Sequence, residues 1–229
     1  MSTAFKHVLF LGSPGVGKGT YARRAAPLLG FAHVSPGDLL RQQAVSDLQL
    51  NTYLSQGKLV PEELVFKTVA AELDRVRSKR NGVILDGFPR NFSQAFNWVQ
   101  HSEHGAVPDL VIELKLPEHI LVQKLLGRRV CSGCGDLYNI FEFTKGEYSM
   151  PAMTPQTPGV CDKCAGLLIQ RSDDQIGVIM ERLRSHDAAE TELIGYLKSV
   201  TSNFVQFDIK TGIAQLQELI DLVQSRLEK

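Results

Sequence analysis

Short apolar runs alternate with longer amphipathic stretches along most of this chain. Phe5 to Leu11 is a compact apolar run that stops at Gly12, with the length and composition of a buried strand. Phe31 to Ser35, Gly82 to Leu85 (ending on Asp86), Leu110 to Leu116 and Phe204 to Ile209 read the same way. Between them, Lys18 to Leu29, Gly37 to Tyr53, Pro61 to Lys79, Phe92 to Gln100 and Pro117 to Arg129 carry helical spacing. Pro61 with two following glutamates, and Pro117, are helix-start signals. A long helical pattern runs from Asp173 to Val200, and a last helix sets Ile213, Leu216, Leu219, Ile220, Val223 and Leu227 on one stripe. This alternation predicts an α/β fold, a parallel sheet covered by helices on both faces. Two segments break the rhythm. Residues 37–65 read as a small helical insertion between the second and third strands. Residues 130–171, with Pro151, Pro155 and Pro158 close together, are rich in loop signals. Residues 1–36, 66–129 and 172–229 would then form the core, with no internal repeat.

Composition narrows the function. At 229 residues there is room for one domain with insertions or two small ones. Lys and Arg total 25 and Asp and Glu total 25, so no basic excess marks a general nucleic-acid or membrane-surface binder. No uncharged apolar run approaches the ~18 residues of a membrane span, and Met1 to His7 lacks a signal-peptide pattern. The C-terminal Arg-Leu-Glu-Lys is no address signal. The expectation is a soluble, cytoplasmic monomer, with an organellar location left open.

Gly12-Ser-Pro-Gly15-Val16-Gly17-Lys18-Gly19-Thr20 follows the first strand and opens the first helix, the context a phosphate-cradling loop requires. Its glycines let backbone N–H groups converge on an anion, the helix N-terminus adds positive potential, and Lys18 reaches the β/γ oxygens. Where the generic pattern has Ser or Thr directly after the lysine, Gly19 intervenes. Six cations, Lys18, Arg41, Arg90, Arg128, Arg171 and Arg182, stand at separate motif positions. They suit phosphoryl transfer, which needs positioning and charge neutralisation more than covalent help. A monophosphate acceptor, with a second pKa of ~6, is largely ionised at neutral pH and attacks without a general base. The acidic residues, by contrast, are expected to spread over outer helices and loops.

The loop GSPGVGKGT resembles the GxPGxGKGT loop of the nucleoside monophosphate kinases, adenylate kinases in particular. Ser35-Pro36-Gly37-Asp38-Leu-Leu-Arg41 is similar to the family's STGDxLR, and Gly57 to Val60 to its GxLV. Asp86-Gly87-Phe88-Pro89-Arg90 with Gln94 resembles its DGFPRxxxQ. Gly127-Arg128-Arg129 and Arg171-Ser-Asp173-Asp174 with Arg182 resemble the arginines bracketing its lid. The resemblance implies a P-loop NTPase core, an acceptor-monophosphate-binding insertion at 37–65 and a lid at 130–171. The activity it implies is ATP + AMP ⇌ 2 ADP with Mg²⁺. Gly15, Val16, Gly17, Lys18, Gly19, Thr20, Arg128, Leu137 and Tyr138 would bind the donor. Pro36, Arg41, Lys58, Leu59, Val60, Gly87, Phe88, Pro89, Arg90, Gln94, Arg171 and Arg182 would bind the AMP acceptor. Lys18, Arg90, Arg128, Arg171 and Arg182 would be catalytic, and Asp86 would hold magnesium through water. Asp173 and Asp174 would orient lid arginines. Three positions depart from the pattern: Pro36 replaces a Thr of the acceptor pocket, Lys124 a donor-stacking Arg, and Ile209 a Gly near the donor base. They leave the base preference open, so that GTP as donor or another acceptor monophosphate is the alternative. A catalytically silent nucleotide-binding or interaction module has no need of so many retained cations.

Cys131-x2-Cys134 and Cys161-x2-Cys164, 26 residues apart, read better as a metal clip than as disulfides. Four thiolates suit structural Zn²⁺, with free thiols or an iron centre as alternatives. The spacer exceeds that of the compact zinc lids the segment resembles, and the excess, Thr144 to Gly159, reads as an exposed loop. The six histidines, His7, His33, His101, His104, His119 and His186, have no ligand spacing with the cysteines. They read as surface or core residues, and Trp98 as packing.

Overall fold

The computed structural model describes residues 5–101 and 107–228, with His101 described in its backbone only. Its strands are β1 (Lys6–Leu11), β2 (Ala32–Val34), β3 (Gly82–Asp86), β4 (Leu110–Lys115), β5 (Arg128–Cys131), β6 (Leu137–Asn139), β7 (Phe143–Lys145), β8 (Tyr148–Met150), β9 (Leu168–Ile169) and β10 (Phe204–Asp208). Its helices are α1 (Lys18–Leu28), α2 (Pro36–Gln43), α3 (Leu48–Ser55), α4 (Glu62–Arg77), α5 (Phe92–His101), α6 (Glu118–Gly127), α7 (Ile176–Val200) and α8 (Leu216–Leu227). Five strands form the central sheet in the order β10-β4-β1-β3-β2, every pair parallel. The helical crossovers between parallel strands cover both faces, as the alternating pattern predicts.

Period-two side-chain direction divides the core into two layers. Val8, Phe10, Ile84 and Ile112 face α1, α6 and α8, meeting Ala22, Ile120 and Leu219. Leu9, Leu11, Leu85 and Val111 face α4, α5 and α7, meeting Leu73, Trp98 and Leu197. Trp98 is 1% exposed and packs edge-on against Phe88, so its packing role holds. Burial of side chains this size contributes about 1.5–3 kcal/mol each.

Several boundaries differ from the periodicity. The stretch 37–53 is two helices, because Asp47 accepts from Leu50 N (2.9 Å) and caps a new start, α3. Helix α6 stops at Gly127, and Arg128 opens β5 instead of closing a helix. The Asn139 side-chain Nδ2 and the Ile140 backbone N–H donate to the carbonyls of Lys124 (2.8 Å) and Gly127 (2.9 Å) that the helix end leaves over. Ile213 lies in a 3₁₀ turn, Gly212–Gln215, ahead of α8.

The largest correction concerns 144–159. Half of it is not loose: β7 and β8 form a hairpin in the register Phe143↔Met150. Gly146, at φ +61, supplies the left-handed turn residue. Met150 is 2% exposed and belongs to the core on the α1 side. A second, antiparallel sheet in the order β6-β5-β9 carries the cysteines.

Candidate active site

The cleft opens at the C-terminal ends of β1 and β3, where a doubly covered parallel sheet exposes its loops. Beyond β1 the glycine loop turns into α1. Lys18 Nζ donates to the carbonyls of Gly12 (2.6 Å) and Ser13 (3.0 Å). Burial pushes the Lys18 ammonium down to about 8, and the guanidiniums of Arg90, Arg182 and Arg128 add to this while Asp86 opposes it. A Cβ on Gly19 would stand 2.9 Å from Asp86 Oδ2, so the residue after the lysine has no room for a serine or threonine side chain. Asp86, at the end of β3, also lies 3.2 Å from His33 Nε2.

The guanidiniums are held by carboxylates. Asp38 accepts from Arg23 (3.1 Å), Arg41 (2.9 Å) and Arg171 (3.0 Å). Burial pushes the Asp38 carboxyl up, yet Arg41 and Arg171 outweigh it and hold the group well below the usual carboxylate range. Asp173 takes Arg182 (2.9 Å) and approaches Arg41 (3.9 Å), while Asp174 takes Arg128 Nε (2.8 Å). Burial lowers Arg171 to about 9 and Arg182 to about 10, the mark of cations crowded into a low-dielectric cleft. The acidic residues are therefore not confined to outer surfaces, as their spread along the sequence suggested. Each buried guanidinium here needs a counter-charge when no phosphate is present.

Arg41 and Arg90 converge: one Nη2 of each lies 3.2 Å from the position a Cβ on Gly37 would take. Arg90 Nε donates to Gly87 O (3.1 Å), and Arg90 N donates to Gln94 Oε1 (2.8 Å). A cavity of about 530 Å³ brings together the nucleotide-site residues expected from the sequence and Asp86, Val16 excepted, while the four cysteines and Asp174 are not among its lining residues. Val16 is fully buried in the core and can offer a ligand only its backbone. Sequence reasoning gave no role to Asp38, His33, Met150, Pro151, Met153 or Gly212, although all but His33 line the cavity. Lys124 is there as well. It donates weakly to Val16 O (3.4 Å), and burial lowers its ammonium to about 8.

The other histidines divide. His7 is buried beside Trp98, His119 packs on Phe143, and His186 lines the cleft. His104 and the side chain of His101 lie outside the described residues. His186, Asp187 and Glu190 could offer three ligand atoms within 4.8 Å, but Lys115 already gives Glu190 a cation at 2.8 Å.

The four cysteine sulfurs lie within 4.8 Å of one another, with Cys131 3.4 Å from Cys164 and Cys134 3.6 Å from Cys161. Tetrahedral sulfurs on Zn–S bonds of about 2.3 Å stand about 3.8 Å apart, so the set fits that ion closely. Outer donors are present too. Tyr138 donates its hydroxyl to Cys161 Sγ (3.5 Å), and the Gly133 and Cys134 amides point at Cys131 Sγ. The Tyr138 hydrogen bond is the leading cause that pulls the Cys161 thiol down to about 6.

A parallel sheet whose first strand feeds a glycine loop into a helix, beside paired sets of buried guanidiniums, defines a P-loop phosphotransferase. The family model for adenylate kinase matches residues 10–202. Chloroplastic adenylate kinase 1 of Arabidopsis thaliana is 40% identical over 90% of this chain and 73% of its own length. The adenylate kinase of Thermodesulfovibrio yellowstonii is 36% identical over 97% and 99%, and the GTP:AMP phosphotransferase of Plasmodium falciparum 30% identical over 94% and 95%. The chain belongs to the adenylate kinase family. It is thus a nucleoside monophosphate kinase, an enzyme of reversible phosphoryl transfer between ATP and AMP. Among the described residues, no helix is long and apolar enough to cross a membrane.

Proposed function

We propose that Lys18 and the glycine-loop amides hold the donor's β- and γ-phosphates while Arg41 and Arg90 hold the acceptor monophosphate. The observation that carries this division is the meeting of Arg41 and Arg90 at Gly37, in the same cavity as Lys18 but on a different element. Arg128, Arg171 and Arg182 bear on the transferring group, where charge spreads over equatorial oxygens. The acceptor phosphate, ionised at neutral pH, attacks the γ-phosphorus and ADP leaves, so the reaction needs no general base. Asp86 would hold Mg²⁺ through water, since that ion dehydrates reluctantly. The ion, when bound, neutralises donor phosphate charge.

Asp38, Asp173 and Asp174 act as stand-ins that keep the guanidiniums in place between turnovers. An arriving phosphate takes over Arg41 and Arg171 from Asp38. Gln94 and the backbone of Lys58 to Val60 would read the acceptor base. The four cysteines would hold a structural Zn²⁺, which leaves no open coordination position. Residues 130–171 would serve as the lid and 37–65 as the acceptor-binding insertion of a core built from the rest. The proposed working form is a cytoplasmic monomer, with an organelle as the alternative compartment.

A coupled assay of ATP with AMP tests the reading. ADP should form two per AMP consumed, and absence of transfer would remove it. A guanine donor is the second reading, favoured by Lys124: an ammonium offers only donors, which suit the O6 and N7 acceptors of guanine.

A further inference from the structure

Asp38 divides its two carboxylate oxygens between two sets of cations. Oδ1 accepts from Arg41 Nη2 (2.9 Å) and Arg171 Nη2 (3.0 Å), and both of those arginines line the cleft. Oδ2 accepts from Arg23 Nη2 (3.1 Å), on α1, and Arg23 is not among the residues that line the cleft. A phosphate seated in the cavity therefore competes for the first two guanidiniums and not for the third. Arg23 is packed between elements: its Nη1 lies 3.8 Å from where a Cβ on Gly135 would stand, beside the cysteine clip. Its Nε is buried with no hydrogen-bond partner among the described residues. The pairing with Asp38 thus runs through Nη2 and asks for a positive charge more than for a planar fork.

The exchange of Asp38 for the acceptor phosphate has an electrostatic consequence. The Asp38 side chain is only 22% exposed. Once Arg41 and Arg171 turn to the phosphate, a shielded carboxylate would face an incoming dianion with its cleft-side partners gone. Taking one partner from a buried ion pair is strongly unfavourable, because the charge left behind is uncompensated. The other charges nearby do not relieve it. Asp173, itself an anion, takes Arg182 (2.9 Å) and stands 3.9 Å from Arg41. Arg90, whose Nη2 converges with that of Arg41 at Gly37, is drawn to the same phosphate. Arg23 is the cation that can stay on Asp38 throughout.

We propose that Arg23 is a positioning residue for acceptor binding: it holds the Asp38 carboxylate through Oδ2, as the counter-charge that lets Asp38 release Arg41 and Arg171 to the acceptor phosphate. The inference rests on the reading that Asp38 stands in for that phosphate and that Arg41 grips it. Arg23 touches no nucleotide and acts only through Asp38.

The test is steady-state kinetics of the full chain, of Arg23→Ala and of Arg23→Lys, with AMP and ATP varied separately. Arg23→Ala should raise the KM for AMP about tenfold, within the usual range of coupling between sites. Its kcat and its KM for ATP should stay within about twofold, and Arg23→Lys should restore the KM for AMP. Without Arg23, Asp38 takes up a proton more readily once AMP has drawn off Arg41 and Arg171. The KM for AMP of Arg23→Ala, as a ratio to wild type, should therefore fall as pH is lowered from about 8 to about 6. The phosphate of AMP titrates alike in both proteins and cancels in that ratio. In an Asp38→Asn background, Arg23→Ala should leave the KM for AMP unchanged, because the charge that needs Arg23 is gone. If Arg23→Ala does not fold, Arg23→Gln decides by the same measurements. An unchanged KM for AMP in the folded variant, or an equal rise with Asp38 and with Asn at that position, would overturn the role of Arg23. Arg41→Ala separates the two levels of the reading. If it also leaves the KM for AMP unchanged, the acceptor phosphate is not held there and both readings fall. If it raises that KM while Arg23→Ala does not, the role of Arg23 alone falls.

Discussion

Gly19 is a single position at which two demands compete. A hydroxyl directly after the loop lysine is the generic magnesium ligand, but here the Asp86 carboxylate occupies the space a side chain would need. Gly19→Ser should therefore move Asp86 and lower kcat about tenfold, equivalent to ~1.4 kcal/mol of barrier, with a higher Mg²⁺ requirement. A magnesium titration of the rate checks this, and an unaltered titration would deny Asp86 its role. Lys18 should set the pH limit. Its folded value of about 8 is lowered from the ordinary lysine range, so the free enzyme holds the ammonium below that pH and loses it above. The kcat/KM for ATP should fall as pH rises through about 8, while kcat, read in the complex, should fall later because bound phosphates favour the charged form. Lys18→Ala should cost about 10²–10³-fold in kcat, with an unchanged melting temperature. The loop and the Asp86–Arg90 segment were legible in the sequence because spacing alone brings their chemistry together. The Asp38 bridge was not, since its partners Arg23, Arg41 and Arg171 meet only across three separate elements.

Among the elements, the five sheet strands were readable because each is a short, largely apolar run bounded by turns, with β1, β3 and β4 buried on both faces. The 143–150 hairpin was passed over as loop, although Phe143-Thr-Lys145 and Tyr148-Ser-Met150 alternate around Gly146, a hairpin signal. Three-residue strands carry too little periodicity to stand out. What stabilises this hairpin is docking on Lys210 and Gly212, more than 60 residues away in the chain (212 minus 150). The split of 37–53 into α2 and α3 was also signalled, by Asp47 three residues before Leu50, but helical spacing on either side masked it. The cysteine clip is the element with its own test. Purified protein should contain one zinc per chain, and Cys161→Ser should lose the metal and several degrees in melting temperature, about 2 kcal/mol or more. Elemental analysis with a thermal melt decides it, and a metal-free wild type of equal stability would exclude the clip.

For the whole molecule, equal numbers of acidic and basic residues conceal a separation of charge. Lys18 and five guanidiniums occupy one cleft, partly answered by Asp38, Asp86, Asp173 and Asp174. The residual positive potential of the cleft would draw polyphosphates toward it. The KM values for ATP and AMP should therefore rise as salt is taken from about 0.05 to 0.5 M, over which the Debye length shrinks from more than 10 Å to a few ångströms. Constant KM values over that range would argue against electrostatic capture. Fold class followed from the order of strands and helices. Base preference did not, because Pro36 and Lys124, which line the cleft, stand where the sequence departs from the family pattern, and a departure carries no motif to read.

The most direct measurement is the initial rate of the intact chain with ATP and GTP as donors against AMP, GMP, CMP and UMP as acceptors, at fixed magnesium. ATP with AMP should be the fastest pair, and its rate should collapse in Arg90→Ala. A pyrimidine acceptor as the best substrate, or transfer that survives Arg90→Ala unchanged, would contradict an adenylate kinase whose acceptor phosphate is held by Arg41 and Arg90.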